Sequence, residues 1–224
     1  TLFRSNACLD TKNGTVIWQR QDDELYCDHF RLPASSPILH GDTLILQFDG
    51  ADKQFVVGLN LCPFAAPVVS SEGLRIKICD ATDIDTIMQS FLSELDLIQS
   101  TLESDIATTL LVIPNALKDF EEYLDVIDLA EELLSEVGLE GVIQLASFHP
   151  SYQFADEPAE SASHFSNRSP YPLIHFLREE MVASALQNYA NPEKIPTRNI
   201  KTLQTIGRDT IERRWQLILG NKTT

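Results

Sequence analysis

Three apolar, strand-length runs separated by two amphipathic helical runs constrain this chain more than anything else in it. The strand runs are LRIKICD (residues 74–80), ATTLLVIP (107–114) and GVIQLASF (141–148). Between the first two, apolar residues recur at Ile84, Ile87, Met88, Phe91, Leu92 and Leu95, which is helical spacing. Between the second and third lies NALKDFEEYLDVIDLAEELLSEVG, an amphipathic helix with Asn115 as the expected N-cap and Gly138 as the expected C-cap. Strands alternating with helices over short connections predict an α/β fold: a small, mainly parallel sheet with flanking helices.

After the third strand run the pattern stops. Residues 149–172, HPSYQFADEPAESASHFSNRSPYP, form a long segment rich in Ser and Pro. Its aromatics Tyr152, Phe154, Phe165 and Tyr171 argue that it packs, and loops of this length in a compact domain are commonly functional. Two helices are expected to finish the chain, over 173–189 and 195–219. The first begins beside Pro170 and Pro172.

Upstream of Pro67 the texture is all-β. TVIWQR follows an Asn-Gly reversal, and SSPILHGDTLILQFDGADKQFVV carries three short apolar runs across polar turns. The 224-residue length suits one large domain or two small ones.

The formal charge of −16 argues against nucleic acid, because phosphate binding needs clustered Lys and Arg. The acids concentrate between Asp80 and Glu140, where Lys118 is the sole base, whereas the segment from Lys194 onward is net basic. Acidic helix faces against a basic terminal helix account for this, with a cation site or a basic protein partner as the alternative. No apolar run approaches the roughly 20 residues of a membrane-spanning helix, and no signal segment opens the chain, so no membrane association is expected. The four cysteines, Cys8, Cys27, Cys62 and Cys79, lack a C-x-x-C pair and read as reduced thiols of a cytoplasmic protein. No metal site and no cofactor are expected.

Two resemblances divide the chain. CLDTKNGTVIWQ resembles the repeat of pyrroloquinoline-quinone-type β-propellers through Leu9, Asp10, Gly14 and Trp18, while Cys8 and Asn13 depart from it. Residues 6–56 would then be an incomplete propeller-blade fragment, with Trp18 structural and no function of its own. GLNLCPFA, TTLLVIP, GLEGVIQLASFHPSYQF, NRSPYPLIHFLREE and IPTRNIKTLQTIG resemble a family of bacterial proteins catalogued as domain of unknown function 1415. That resemblance covers residues 57–220 and implies an uncharacterised α/β domain, normally entered through an amphipathic helix. TLFRS, residues 1–5, matches the translation of a common sequencing-adapter tail. A chimeric reading frame with its seam at Val57 is therefore expected, against the alternative of a natural fusion.

Candidate chemistry lies in the second part. Cys62 follows Asn60 and precedes a proline, and a thiol becomes a nucleophile where a helix N-terminus or cation lowers its pKa. His149 sits past the third strand, at the sheet edge where α/β proteins place ligands. Asn167, Arg168 and Ser169 are expected before a helix N-terminus, a setting for a carboxylate or phosphate. His175, Arg178 and Glu179 are expected on its first turns, and Arg198 with Asn199 on the last helix. The bland alternatives are a buried Cys62, a loop-capping His149 and arginines that pair with acidic helices. His175 with Glu179 resembles a metal pair but lacks H-E-x-x-H.

Three functions follow. In the first, an enzyme acts on a small anionic substrate, with Cys62, His149 and His175 as catalytic candidates and Asn60, Asn167, Arg168, Arg178 and Arg198 as ligand-binding ones. The second is a non-catalytic module binding an anionic metabolite. The third is a protein-interaction domain using the acidic helices.

Overall fold

A computed structural model describes four short strands within the first 45 residues, scattered positions between 59 and 68, and residues 73–187 and 189–218. The Val57 junction, Asn60 and residues 1–4 lie outside the described residues, as does the environment of the Trp18 side chain.

The chain divides into two units, Thr1–Asn60 and Leu61–Thr224. In the first, β1 (Ser5–Leu9) pairs antiparallel with β2 (Val16–Gln21), and β3 (Ile38–His40) with β4 (Thr43–Ile45).

The second unit is built on a four-stranded sheet of β5 (Leu74–Ile78), β6 (Thr108–Val112), β7 (Ile143–Phe148) and β8 (Leu173–Arg178), in the order β5-β6-β8-β7. β5 and β6 are parallel, whereas β8 runs antiparallel to both β6 and β7. The sheet is thus mixed, and the mainly parallel expectation needs correcting. The error lies in LIHFLR. Leu173 and Leu177 are four apart and suggest a helix, but Ile174 and Phe176 alternate into the core at a strand's period of two. A helix, α3 (Glu179–Gln187), begins only where the strand ends. His175 and Glu179 therefore do not share a helical face.

The helices α1 (Ile84–Ser100) and α2 (Phe120–Glu136) cover one face of the sheet. From α1, Ile87, Phe91, Leu95 and Ile98 meet Leu111, Ile174 and Phe176; from α2, Tyr123, Val126, Ile127 and Ala130 join the same core. The Phe91 and Phe176 rings lie 5.2 Å apart. Each buried Val, Leu, Ile or Phe among them contributes about 1.5–3 kcal/mol. Asp83 caps α1 by accepting the Thr86 amide, as expected of an acid at a positive dipole end.

α2 starts later than the sequence suggests. Asp119, not Asn115, is its N-cap, accepting the amides of Glu121 and Glu122. Asn115 instead donates to the Asp80 carbonyl at 3.2 Å, and the following Leu117 takes a left-handed conformation at φ 55° that interrupts any helix. The terminal helix is likewise two: α4 (Ile195–Ile206) and α5 (Arg208–Ile218) part at Gly207, whose φ of 84° suits glycine alone.

Candidate ligand site at the C-terminal edge of the sheet

β5, β6 and β7 all point one way, so their C-terminal ends share an edge with the start of β8. The loops after β5, β6 and β7 gather there. The 149–172 segment is the longest, and it is held by side chains that satisfy its backbone.

His149 does most at its first position. It is fully buried; its Nδ1 accepts the Ser151 amide at 3.0 Å, which leaves the proton on Nε2 to donate to the Leu117 carbonyl at 3.0 Å. Burial pushes its pKa below the usual histidine value, keeping the ring neutral. The same bond holds the left-handed Leu117 in place. His164 repeats the pattern within the loop: Nδ1 accepts from Phe154 N at 3.1 Å and Nε2 donates to the Pro158 carbonyl at 2.8 Å.

Asn167 closes the loop onto the sheet. Its Nδ2 donates to the Ser147 carbonyl at 3.1 Å, and its own carbonyl accepts the His149 amide at 3.1 Å. Tyr123 spans the strands beneath, donating to the Leu173 carbonyl and accepting the Phe148 amide; burial pushes its phenol well above the usual tyrosine range. Rings then run in sequence through Tyr123, His149, Phe120, Tyr152, Phe154 and His164, with centroids 5.0–6.1 Å apart.

Arg168 emerges from this scaffold. Its guanidinium lies 4.3 Å from the Phe165 ring centroid, and Phe165 meets Trp215 of α5 edge-on at 6.2 Å. Phe165 belongs to the 3₁₀ turn Ala162–Ser166 and is buried, as are Leu203 of α4 and Ile211 of α5. Only Nε of Arg168 has a hydrogen bond, a 3.4 Å contact to the Tyr152 carbonyl; among the described residues neither Nη has an acceptor. Its pKa is lowered first by burial and then by the Arg208 charge, with Glu212 pulling the other way. Arg208 donates to the Ala159 carbonyl at 3.4 Å and pairs with Glu212 at 3.5 Å. Arg208 and Glu212, themselves an ion pair, thus act on Arg168 with opposite signs.

The other candidates lie elsewhere. Asn167, Arg168 and Ser169 precede a strand, not the helix N-terminus expected of them. His175 sits mid-strand on the sheet face away from α1 and α2, opposite Leu110 and Ala146. Thr108 donates to the Phe176 carbonyl, so the 2.7 Å contact between its hydroxyl and His175 is a donation from His175 Nε2. The residue keeps a small exposed fraction, yet loss of hydration pushes its pKa down to about 4. Arg178 turns to the helical face and donates to the carbonyls of Ile98, Thr101 and Ile106. Arg198 on α4 bonds the Tyr189 hydroxyl and Asn199, and Asn199 donates to the Leu61 carbonyl at 2.7 Å, which sets Cys62 beside α4. Both ring nitrogens of His149 are engaged by main-chain groups.

Sequence reasoning missed Arg208 and His164. Arg208 carried a signal: a cation at the start of a helix opposes the dipole and asks for another role. Reading one helix across Gly207 hid it. Among the described residues, no three His, Cys, Asp or Glu side chains converge as a metal site, and no helix is long and apolar enough to cross a membrane.

Fold and site together define an α/β domain whose mixed sheet carries a histidine-stapled loop and a stacked arginine at its C-terminal edge. The chain belongs to the family described as Protein of unknown function (DUF1415), whose model matches residues 52–213. No curated protein and no solved structure matches it.

Proposed function

We propose that the Leu61–Thr224 unit is a non-catalytic module that binds a small anion at Arg168. The carrying observation is a partly buried guanidinium, stacked on Phe165, whose two Nη groups have no acceptor among the described residues. A charge-assisted fork of this kind contributes about 1.5–3 kcal/mol. The enzymatic alternative is weaker because the His149 ring has both nitrogens engaged by the main chain and offers no lone pair to a proton.

Calorimetry of the full chain against a panel of small carboxylates and phosphates tests this. At least one anion should bind, and Arg168→Gln should lose tenfold or more in affinity at an unchanged melting temperature. Equal binding by the variant rejects the site. Rapid alkylation of Cys62 near neutral pH, mapped by peptide mass, would instead revive the enzyme.

For residues 6–56 the propeller-fragment reading stays a proposal. The antiparallel pairs β1–β2 and β3–β4 suit successive blade strands. Amplification of source DNA across the codons of Gln54–Cys62 tests the associated junction, and an intact product would end the chimera idea.

A further inference from the structure

We infer that β7 is the edge through which two copies of this chain associate, by antiparallel pairing of β7 with itself about a two-fold axis at Leu145. β7 ends the sheet, with β8 as its sole strand neighbour. The register fixes where each main-chain group points. Glu179 N donates to the Val142 carbonyl, so residues 142, 144, 146 and 148 turn their main-chain groups to β8. The alternate residues Ile143, Leu145 and Ser147 therefore turn theirs to the outer edge.

The two outermost of these edge groups are capped from within the chain. Ile143 N donates to the Leu139 carbonyl, and the Ser147 carbonyl accepts Asn167 Nδ2. Between the caps lie the Ile143 carbonyl, Leu145 N, the Leu145 carbonyl and Ser147 N, none with a partner among the described residues. An antiparallel copy centred on Leu145 pairs all of them. Leu145 exchanges both its bonds with Leu145 of the second copy, and the Ile143 carbonyl accepts Ser147 N in each direction. The remaining pair of that register, Ile143 N with the Ser147 carbonyl, is the one the caps already satisfy.

The side chains favour a second copy over an unrelated strand. β7 carries no charge and no proline, so self-pairing opposes no like charges, whereas the other edge strand, β5, carries Arg75 and Lys77. In this register Val142, 50% exposed, falls opposite Phe148 of the second copy, and the exposed Gln144 falls opposite Ala146. The paired stretch is short, and the formal charge of −16 on each copy opposes association. The dimer is accordingly weak at low salt and strengthens as salt screens that repulsion.

The experiment is sedimentation velocity of the full chain over a concentration series at low and high salt, with amide hydrogen exchange read residue by residue at both ends of the series. A monomer–dimer equilibrium should appear, with the Leu145 and Ser147 amides protected only at high concentration. Gln144→Glu should weaken dimerisation tenfold or more at an unchanged melting temperature, because it sets two carboxylates diagonally across the axis. A monomer at every concentration overturns the inference. So does a dimer in which both amides still exchange freely, since another surface then joins the copies. Protection of both amides in the dilute monomer overturns it too, because the chain itself then covers the edge. Dimerisation that Gln144→Glu leaves unaltered overturns the register.

Discussion

Nη2 of Arg178 donates to the carbonyl of Ile98 at 2.6 Å, joining residues 80 positions apart and closing the C-terminal end of α1 from the neighbouring sheet. The last turn of α1 contains no basic residue, so this cation supplies from a strand what the helix lacks. Arg178→Met should cost about 3 kcal/mol, because several carbonyls lose a charged donor at once. Arg178→Lys should recover only part, since an ammonium lacks the fork. Urea unfolding measures both, and a loss under ~1 kcal/mol for Met would show that water replaces the guanidinium.

Glu94 is buried on α1 at 3% exposure, and Arg75 of β5 holds it through two bonds of 2.6 and 3.0 Å. Arg75→Met leaves a buried carboxylate without its partner and should cost about 3 kcal/mol. Arg75→Met combined with Glu94→Leu should return most of that loss. A double mutant no more stable than the single one would mean that the pair contributes more than its desolvation costs.

Acid should weaken the fold through its histidines. The His175 pKa is about 4 folded against 6.5 for an ordinary histidine, and that of His149 is lowered as well. Above pH 6.5 both states are neutral and stability is complete. Between 6.5 and 4 the unfolded chain takes up a proton that folded His175 refuses, so stability falls by up to ~1.4 kcal/mol per pH unit. His175→Leu should flatten the curve across this window, with His149 supplying the remaining slope. An unchanged slope in His175→Leu refutes the assignment.

Thr109 has a buried hydroxyl with no hydrogen-bond partner among the described residues, on a strand position 1% exposed. Replacing it by the near-isosteric valine removes an unsatisfied polar group. Thr109→Val should therefore raise stability by about 1 kcal/mol. A thermal melt that falls instead would reveal a partner for the hydroxyl.

The sequence made β5, α1, β6, α2 and β7 legible because each buries a face at its own period. It hid β8, since six residues with leucines at both ends satisfy either period, and only the gap between β6 and β7 decides between them. It also mistook the cap of α2, because Asn115 has a caller elsewhere in the Asp80 carbonyl. At the site, Arg168 and His149 could be singled out from residue type and position. Their different employments could not be: His149 is bonded to the main chain on both sides, while among the described residues the two Arg168 Nη groups have no acceptor. That distinction depends on which loop carbonyls arrive nearby, and spacing along a chain does not encode it.

The placement of β8 also dictates a timetable. β5 and β6 are joined through one helix and can pair while synthesis continues, but β7 touches no other strand of the sheet except β8. Until Arg178 has emerged from the ribosome, β6 and β7 each present a bare hydrogen-bonding edge with α2 already made between them. Closure of the sheet is thus a late, long-range event, the kind that slows folding and leaves nascent chains open to mispairing. A chain halted before Leu173 would carry most of the core residues and still lack the strand that makes them one sheet.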